Sequence, residues 1–143
     1  MARPPYNAAD LARRLVEHEA SGSSDPAASA HAVDAVCRKL RDHLTDLLGS
    51  GGVVALMGRA LNLAKREHPV LTGVTLGGVH DTCYVGLAEA LAAATAEEAA
   101  AAGDSVLAHF LALLILLLGI ELGLQPVRRL WPHLASSLTE VDE

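Results

Sequence analysis

Hydrophobic residues recur at helical spacing along most of the chain, and polar residues fill the positions between them. The clearest case is residues 33–48, where apolar side chains repeat every three or four positions, while Asp34, Arg38 and Asp42 line the opposite face. This spacing is typical of amphipathic helices that pack one face against a core. The pattern therefore predicts an all-α fold.

Helix-start and helix-stop residues divide this pattern into separate elements. Asn7 is a good N-cap for a first helix, and Asp25 followed by Pro26 is a start signal for a second, which Gly49 closes. Thr95 and Glu98 form a capping-box pattern ahead of a long apolar segment. We predict five main helices and a short C-terminal one, over residues 7–20, 25–48, 50–68, 81 or 82 to 94, 95–124 and 126–131.

Residues 70–79, VLTGVTLGGV, are the one stretch without a helical period. They contain β-branched residues and three glycines, so a short irregular loop and a small hairpin both fit. Loops carry functional residues more often than the scaffold does, which makes this stretch one place to look for a site.

Residues 106–124, VLAHFLALLILLLGIELGL, form the most apolar segment, and its strongly polar side chains are His109 and Glu121. A helix that is apolar all round is either a buried core helix or a membrane span. A span needs roughly 20 apolar residues, but the run without an ionisable group covers only residues 110–120. We therefore predict the buried centre of a bundle, with a kink or a new helix at Pro126.

Length and composition refine this prediction. The chain has 143 residues, which suits one domain over 1–143, with a lead-in at 1–6 and a tail at 133–143 that we expect to be frayed. It is 51% hydrophobic but only 3% aromatic, so the core should consist of leucine, alanine and valine. The net charge of −6 and the lack of a large basic cluster argue against a nucleic-acid partner.

The cysteine count and the N-terminus indicate a cellular setting. Two cysteines, Cys37 and Cys83, do not make a disulfide framework, and the first residues lack the apolar stretch of a signal peptide. We expect a cytoplasmic protein. The abundance of alanine, and of arginine over lysine, suggests a GC-rich bacterial genome.

Few residues carry recognisable chemistry. The sequence contains no phosphate loop, dinucleotide fingerprint, nucleophile elbow or pair of Glu-x-x-His motifs. His80 and Cys83 have the spacing of two metal ligands, but a structural zinc site needs four, and Cys37 is distant in sequence. We therefore predict no catalytic residue, no cofactor and no metal.

The two polar residues of the apolar segment are the other candidates. His109 could be a neutral core histidine bonded to a backbone carbonyl or near Asp104, or it could be a ligand or proton switch. Glu121 would need an arginine if buried, because an unpaired buried carboxylate is costly. The arginines considered for that pair are Arg59, Arg66, Arg128 and Arg129. The candidate binding residues are therefore His109, Glu121, His80, Cys83, Arg59 and Arg66.

The leading functional interpretation is a non-enzymatic interaction or adaptor module that self-associates or binds another protein. It rests on the missing catalytic motifs and on apolar surface beyond what one bundle needs. One alternative is a bundle that binds a small ligand or a metal, with or without catalysis. The other is a protein that inserts into a membrane, which the short apolar run disfavours. The predicted arrangement, an apolar central helix surrounded by amphipathic helices, resembles small bacterial helical modules. It also resembles, more loosely, death-type adaptor domains and helical pore-forming toxins, but no motif is specific to these groups.

Overall fold

The computed structural model describes residues 7–21, 25–77, 83–132 and 134, and these residues form a predominantly helical fold. The predicted all-α class is confirmed, but the predicted number of helices is wrong, because the described residues form four. The helices are α1 (Ala8–Glu19), α2 (Pro26–Glu67), α3 (Leu87–Ala92) and α4 (Ala96–Leu130). A short 3-10 turn (Pro69–Leu71) and two strands, β1 (Thr75–Leu76) and β2 (Tyr84–Val85), connect α2 to α3. The predicted lead-in and nearly all of the predicted tail lie outside the described residues.

Local capping interactions fix the beginnings of three helices. The Asn7 side chain accepts a hydrogen bond from the Asp10 backbone N–H, and the Asp25 side chain accepts one from Ala27. At α4, Thr95 and Glu98 each accept a hydrogen bond from the other's backbone N–H, which completes a capping box. These bonds satisfy N–H groups that lack a partner within the helix. All three starts confirm the sequence prediction.

Two glycines bend the long helices. Gly49 in α2 has φ 77° and ψ 156°, and Gly119 in α4 has φ 86° and ψ 164°, a backbone region that is open essentially to glycine alone. The predicted helices over 25–48 and 50–68 are therefore the two arms of α2. The predicted new helix at Pro126 is wrong, because Pro126 lies inside α4, and the backbone leaves helical geometry at Gly119 instead.

The second arm of α4 folds back against the first. A Cβ atom added to Gly123 would lie 2.8 Å from Ile115 Cγ1 and 2.9 Å from Ile115 Cα. Only a residue without a side chain permits this approach. The two glycines that the sequence places four apart thus have different tasks: Gly119 makes the turn and Gly123 makes room for the contact.

The core lies where α2 and α4 meet, and α1 packs against both of them. Its largest fully buried side chains include Trp131, Tyr84 and Phe110. The predicted burial of 106–124 holds only in part, because Leu116, Leu117 and Leu122 are 81%, 60% and 51% exposed. These three leucines flank the Gly119 turn, where no other described element covers them.

Trp131 joins the second arm of α4 to α1 and α2. Its indole N–H donates to Glu19 Oε2 at 3.0 Å, and the Lys39 ammonium lies 2.7 Å from the same oxygen and 5.8 Å from the ring centre. That distance allows a cation–π attraction. Burial opposes ionisation of Glu19, but the hydrogen bonds from Lys39 and Trp131 outweigh it and lower its pKa. Trp131 therefore lies in the core between α1, α2 and α4.

The non-helical stretch contributes to a small hairpin. Strand β1 pairs antiparallel with β2, with Thr75 opposite Val85 and Leu76 opposite Tyr84. Helix α3 begins at Leu87, after Gly86 with φ 86°, whereas the sequence predicted a start at position 81 or 82, outside the described residues. Tyr84, which falls within that predicted helix, is buried and lies on β2.

Candidate functional site

The candidate residues do not come together in one place. His109 lies on the first arm of α4, Cys83 precedes β2, and Arg59 and Arg66 are exposed on the second arm of α2. Glu121 is exposed just beyond the Gly119 turn. His80 lies outside the described residues.

His109 contacts a carboxylate on another helix. Its Nε2 lies 3.1 Å from Glu67 Oε1, and the Ser105 hydroxyl donates to the same oxygen at 2.9 Å. The hydrogen bond with His109 is the main reason that the pKa of Glu67 is lowered. A nucleophile and its base should bond to each other, but here serine and histidine both contact the glutamate. The three residues therefore join the end of α2 to α4.

Glu121 does not form the buried ion pair that was considered from the sequence. The residue is exposed, and its backbone carbonyl, at 3.4 Å, accepts the hydrogen bond from the Arg128 guanidinium. The turn at Gly119 is the reason, because it carries Glu121 to an uncovered end of the bundle. The proposed partners Arg59 and Arg66 instead border a shallow groove on α2 together with Asn62.

Replacing Glu121 with alanine should therefore change the free energy of unfolding by no more than about 0.5 kcal/mol, as for ordinary surface substitutions. Urea melts followed by circular dichroism measure this change. A loss near 3 kcal/mol, the scale for breaking a buried pair, would show that the carboxylate is buried and paired.

Cys83 is held by a buried carboxylate that the sequence pattern had placed on the solvent face. The Cys83 backbone N–H donates to Asp34 Oδ1 at 2.6 Å, and Arg38 Nε lies 2.9 Å from Asp34 Oδ2. Asp34 is only 9% exposed. This bond joins the hairpin to the first arm of α2 across 49 positions of sequence. No local signal could have revealed it.

The thiols of Cys37 and Cys83 both have raised pKa values. Burial raises the pKa of Cys83 to about 11 and raises that of Cys37 well above its ordinary value. Both cysteines are free and buried, and their raised pKa values disfavour the thiolate form that nucleophilic attack and metal binding use. Among the residues that the structure describes, no group of three or more His, Cys, Asp or Glu side chains is placed to hold a metal ion.

A cavity of about 270 Å³, here called the hairpin cavity, opens where β1 meets the bend in α2. Its lining contains both polar and apolar residues. Arg41, whose side chain is only 11% exposed, contributes its guanidinium, with Nε 3.4 Å from Asp42 Oδ1. The cavity is lined by Arg41, Asp42, Thr45, Asp46, Ser50, Val54, Met57, Leu76, Gly77 and Cys83. Among the candidates that the structure describes, Cys83 is the one in this lining.

Asp104 lies on α4 in a partly buried position near α1. Burial and the negative charge of Glu17 raise its pKa to about 6, although Arg13 opposes the shift. The folded protein thus holds this proton more tightly than the unfolded chain, so stability should fall as pH rises from about 4 to about 6 and stay lower above that range.

Asp104→Asn removes this charge, and we expect it to stabilise the protein at pH 7.5 by about 1–2 kcal/mol and by almost nothing at pH 4. Urea melts of both proteins at the two pH values measure the difference. Glu89→Gln, at an exposed position, serves as the control. An equal effect of Asp104→Asn at both pH values would contradict the raised pKa.

The comparisons with known proteins give no relative. No family model, curated protein or solved structure matches the chain. Interpretation of its function therefore rests on the geometry described above.

Proposed function

We propose that this protein is a non-enzymatic interaction module that self-associates through the apolar surface around Gly119. This surface, the apolar corner, consists of the exposed Leu116, Leu117 and Leu122 together with the half-buried leucine and isoleucine side chains around them. The exposure of Leu116, 81%, is the observation that carries the proposal.

The corner differs from the rest of the surface in its composition. Single exposed leucines are normal on soluble proteins, but contiguous apolar patches mark places where another molecule binds. Between positions 112 and 124, Glu121 is the one charged residue. Two copies can therefore meet here with little charge repulsion despite the net charge of −6 on each chain. A two-fold contact of like surfaces is the commonest route to a dimer.

The buried polar groups favour a non-enzymatic role. The Ser105 hydroxyl is bonded to Glu67, and burial raises the pKa of Cys83. Neither group has the activated form that covalent catalysis requires. Their contacts join secondary-structure elements to each other and thus support a rigid scaffold for the corner.

Light scattering after size exclusion, across a dilution series, tests the proposal. The wild type is expected to be a dimer that dissociates on dilution, and the double variant Leu116→Gln/Leu117→Gln is expected to be monomeric. Val85→Gln is the matched control, because Val85 is an exposed apolar residue (51%) on the hairpin. A wild type that is monomeric at every concentration would refute self-association.

Membrane association is the second candidate, and the hydropathy of α4 favours it. The most apolar 18-residue window of this helix has a mean hydropathy of 2.4, and only 33% of it is buried. Helix α2 also contains a window long and apolar enough to span a membrane, with a mean hydropathy of 1.4. Flotation with neutral phosphatidylcholine vesicles separates the two candidates. A monomer that floats with vesicles, and loses this property in the Leu116→Gln/Leu117→Gln variant, would favour the membrane.

A further inference from the structure

The groove on the second arm of α2 combines two arginines with apolar side chains. It has a volume of about 630 Å³ and is lined by Val54, Ala55, Gly58, Arg59, Asn62, Leu63, Arg66 and Leu76, so no carboxylate belongs to this lining. We propose that this groove, here called the basic groove, binds the acidic segment 138–143 of the same chain. The groove shares no residue with the exposed leucines of the apolar corner, and the inference does not depend on self-association.

The two guanidinium groups of the basic groove face solvent. Arg59 and Arg66 are exposed, and they lie seven positions apart on α2. Seven residues make about two helical turns, so the pair shares one face, about 10 Å apart along the axis. Neither arginine takes part in the ion pairs of the described residues, whose basic members are Arg13, Arg14, Arg38, Lys39, Arg41 and His109.

The part of the groove between the arginines is apolar because β1 packs against α2 there. A Cβ atom added to Gly58 would lie 3.2 Å from Leu76 Cδ1, so the Leu76 side chain lies directly on the helix. Val54 is 40% exposed, and Leu63 is partly buried. Carboxylates form strong hydrogen bonds with arginine, and exposed apolar surface favours apolar contacts. The groove therefore suits a segment that carries both carboxylates and apolar side chains.

Residues 138–143, LTEVDE, have this composition. They contain three carboxylates, the apolar Leu138 and Val141, and no basic residue. The chain has a net charge of −6, so its overall field repels such a segment. Positions 47–66 are the exception, because they contain no acidic residue but three basic ones. The charge of the segment is thus complementary to the second arm of α2.

The length of the chain beyond the described residues is sufficient for this contact. Leu134, the last described residue, donates its backbone N–H to the Trp131 carbonyl, and the Trp131 ring lies 5.8 Å from the Lys39 ammonium on the first arm of α2. The nine residues 135–143 follow it. Fully extended, they span about 30 Å, and packed helices lie about 8–10 Å apart. The segment is thus long enough to cross two or three helices of the bundle.

Cleavage after Glu140 by the glutamate-specific protease Glu-C measures whether the segment is bound. When binding and release are fast compared with cleavage, the cleavage rate follows the unbound fraction. A synthetic peptide of residues 132–143 gives the rate for an unbound segment, and mass spectrometry follows the loss of residues 141–143. We expect the full chain to be cut at least about fivefold more slowly than the peptide at low salt, and the difference to shrink at high salt.

A pair of charge variants locates the contact. Arg59→Gln/Arg66→Gln should bring the rate to within about twofold of that of the peptide, because both guanidinium groups are lost. Arg128→Gln/Arg129→Gln is the matched control. It removes the same charge from two arginines that lie closer to the segment in sequence, and it should leave the rate unchanged.

A second pair tests the groove without changing any charge. Ala55 is an exposed residue of the lining, so Ala55→Trp should fill the groove and speed cleavage about as much as the loss of both arginines. Ala101→Trp, at an exposed position of α4 outside this lining, is its control and should have no effect.

Four results would overturn the inference. The first is equal cleavage of the full chain and the peptide, and the second is protection that survives Arg59→Gln/Arg66→Gln. The third is acceleration by Arg128→Gln/Arg129→Gln, which would place the segment elsewhere. The fourth is a rate that depends on protein concentration, which would place it on a second copy. The Leu116→Gln/Leu117→Gln variant should be cut like the wild type, so a failure of self-association and a failure of this contact are distinguishable.

Discussion

Replacing Trp131 with alanine is expected to lower the free energy of unfolding by about 3–5 kcal/mol, the range for deleting a fully buried aromatic side chain. The ring is 2% exposed, and its N–H bonds to Glu19 across 112 positions of sequence. The loss combines a cavity under the second arm of α4 with a carboxylate that retains only Lys39 of its two described donors. Urea melts followed by circular dichroism measure it.

Two further variants separate packing from hydrogen bonding at this position. Trp131→Phe keeps an aromatic ring but removes the donor, so we expect a smaller loss, about 1–2 kcal/mol. Gln125→Ala, at an exposed position on the same arm, should cost less than about 0.5 kcal/mol. If Trp131→Ala were no more destabilising than Gln125→Ala, the tryptophan would not hold the second arm against the bundle.

Replacing Asp34 with alanine is expected to cost about 3 kcal/mol. The change leaves the buried Cys83 N–H without its 2.6 Å acceptor and Arg38 without its carboxylate. An unsatisfied buried group carries its full desolvation penalty, which is larger than the net gain from an ordinary hydrogen bond.

Asp34→Asn tests whether the acceptor or the charge matters more. An amide oxygen can still accept from Cys83, so this variant should cost only about 1 kcal/mol. Asp46→Ala, at an exposed position of the same helix, is the control for losing one carboxylate. Equal stability of the Asp34→Ala and Asp46→Ala proteins would mean that the Asp34 bond does not hold the hairpin.

The parts of the fold that were predictable are those encoded by neighbouring residues. Asn7, Asp25 and the Thr95–Glu98 pair act within three positions of themselves, so their patterns predicted helix starts that the structure confirms. The turns were harder to predict. Gly49 was expected to end one helix before another, and Gly119 fell inside the predicted helix over 95–124. A glycine has the same appearance in sequence whether its φ is positive or negative, and the packing of both arms decides between these conformations.

The candidate sites depended on contacts between distant residues, and those were largely out of reach. His109 meets Glu67 across 42 positions, and Asp34 meets Cys83 across 49. The helical pattern assigned Asp34 to the solvent face because the apolar residues of α2 mark only one buried face. The segment that leads into β2 also covers part of the opposite face, where Cys83 contacts Asp34. Arg41 was not among the residues named from the sequence. Its place in the lining of the hairpin cavity depends on the bend at Gly49 and on β1, which are distant from it in the helical pattern or in sequence.

The contact between Trp131 and Glu19 also determines when the chain can finish folding during synthesis. Its two residues lie 112 positions apart, so α1 leaves the ribosome long before its last partner is made. At about 5–20 residues per second, the delay is roughly 6–22 seconds. During that time the apolar faces that α1 and α2 bury in the folded protein lack the helix that covers them, so apolar surface stays exposed until α4 has been made.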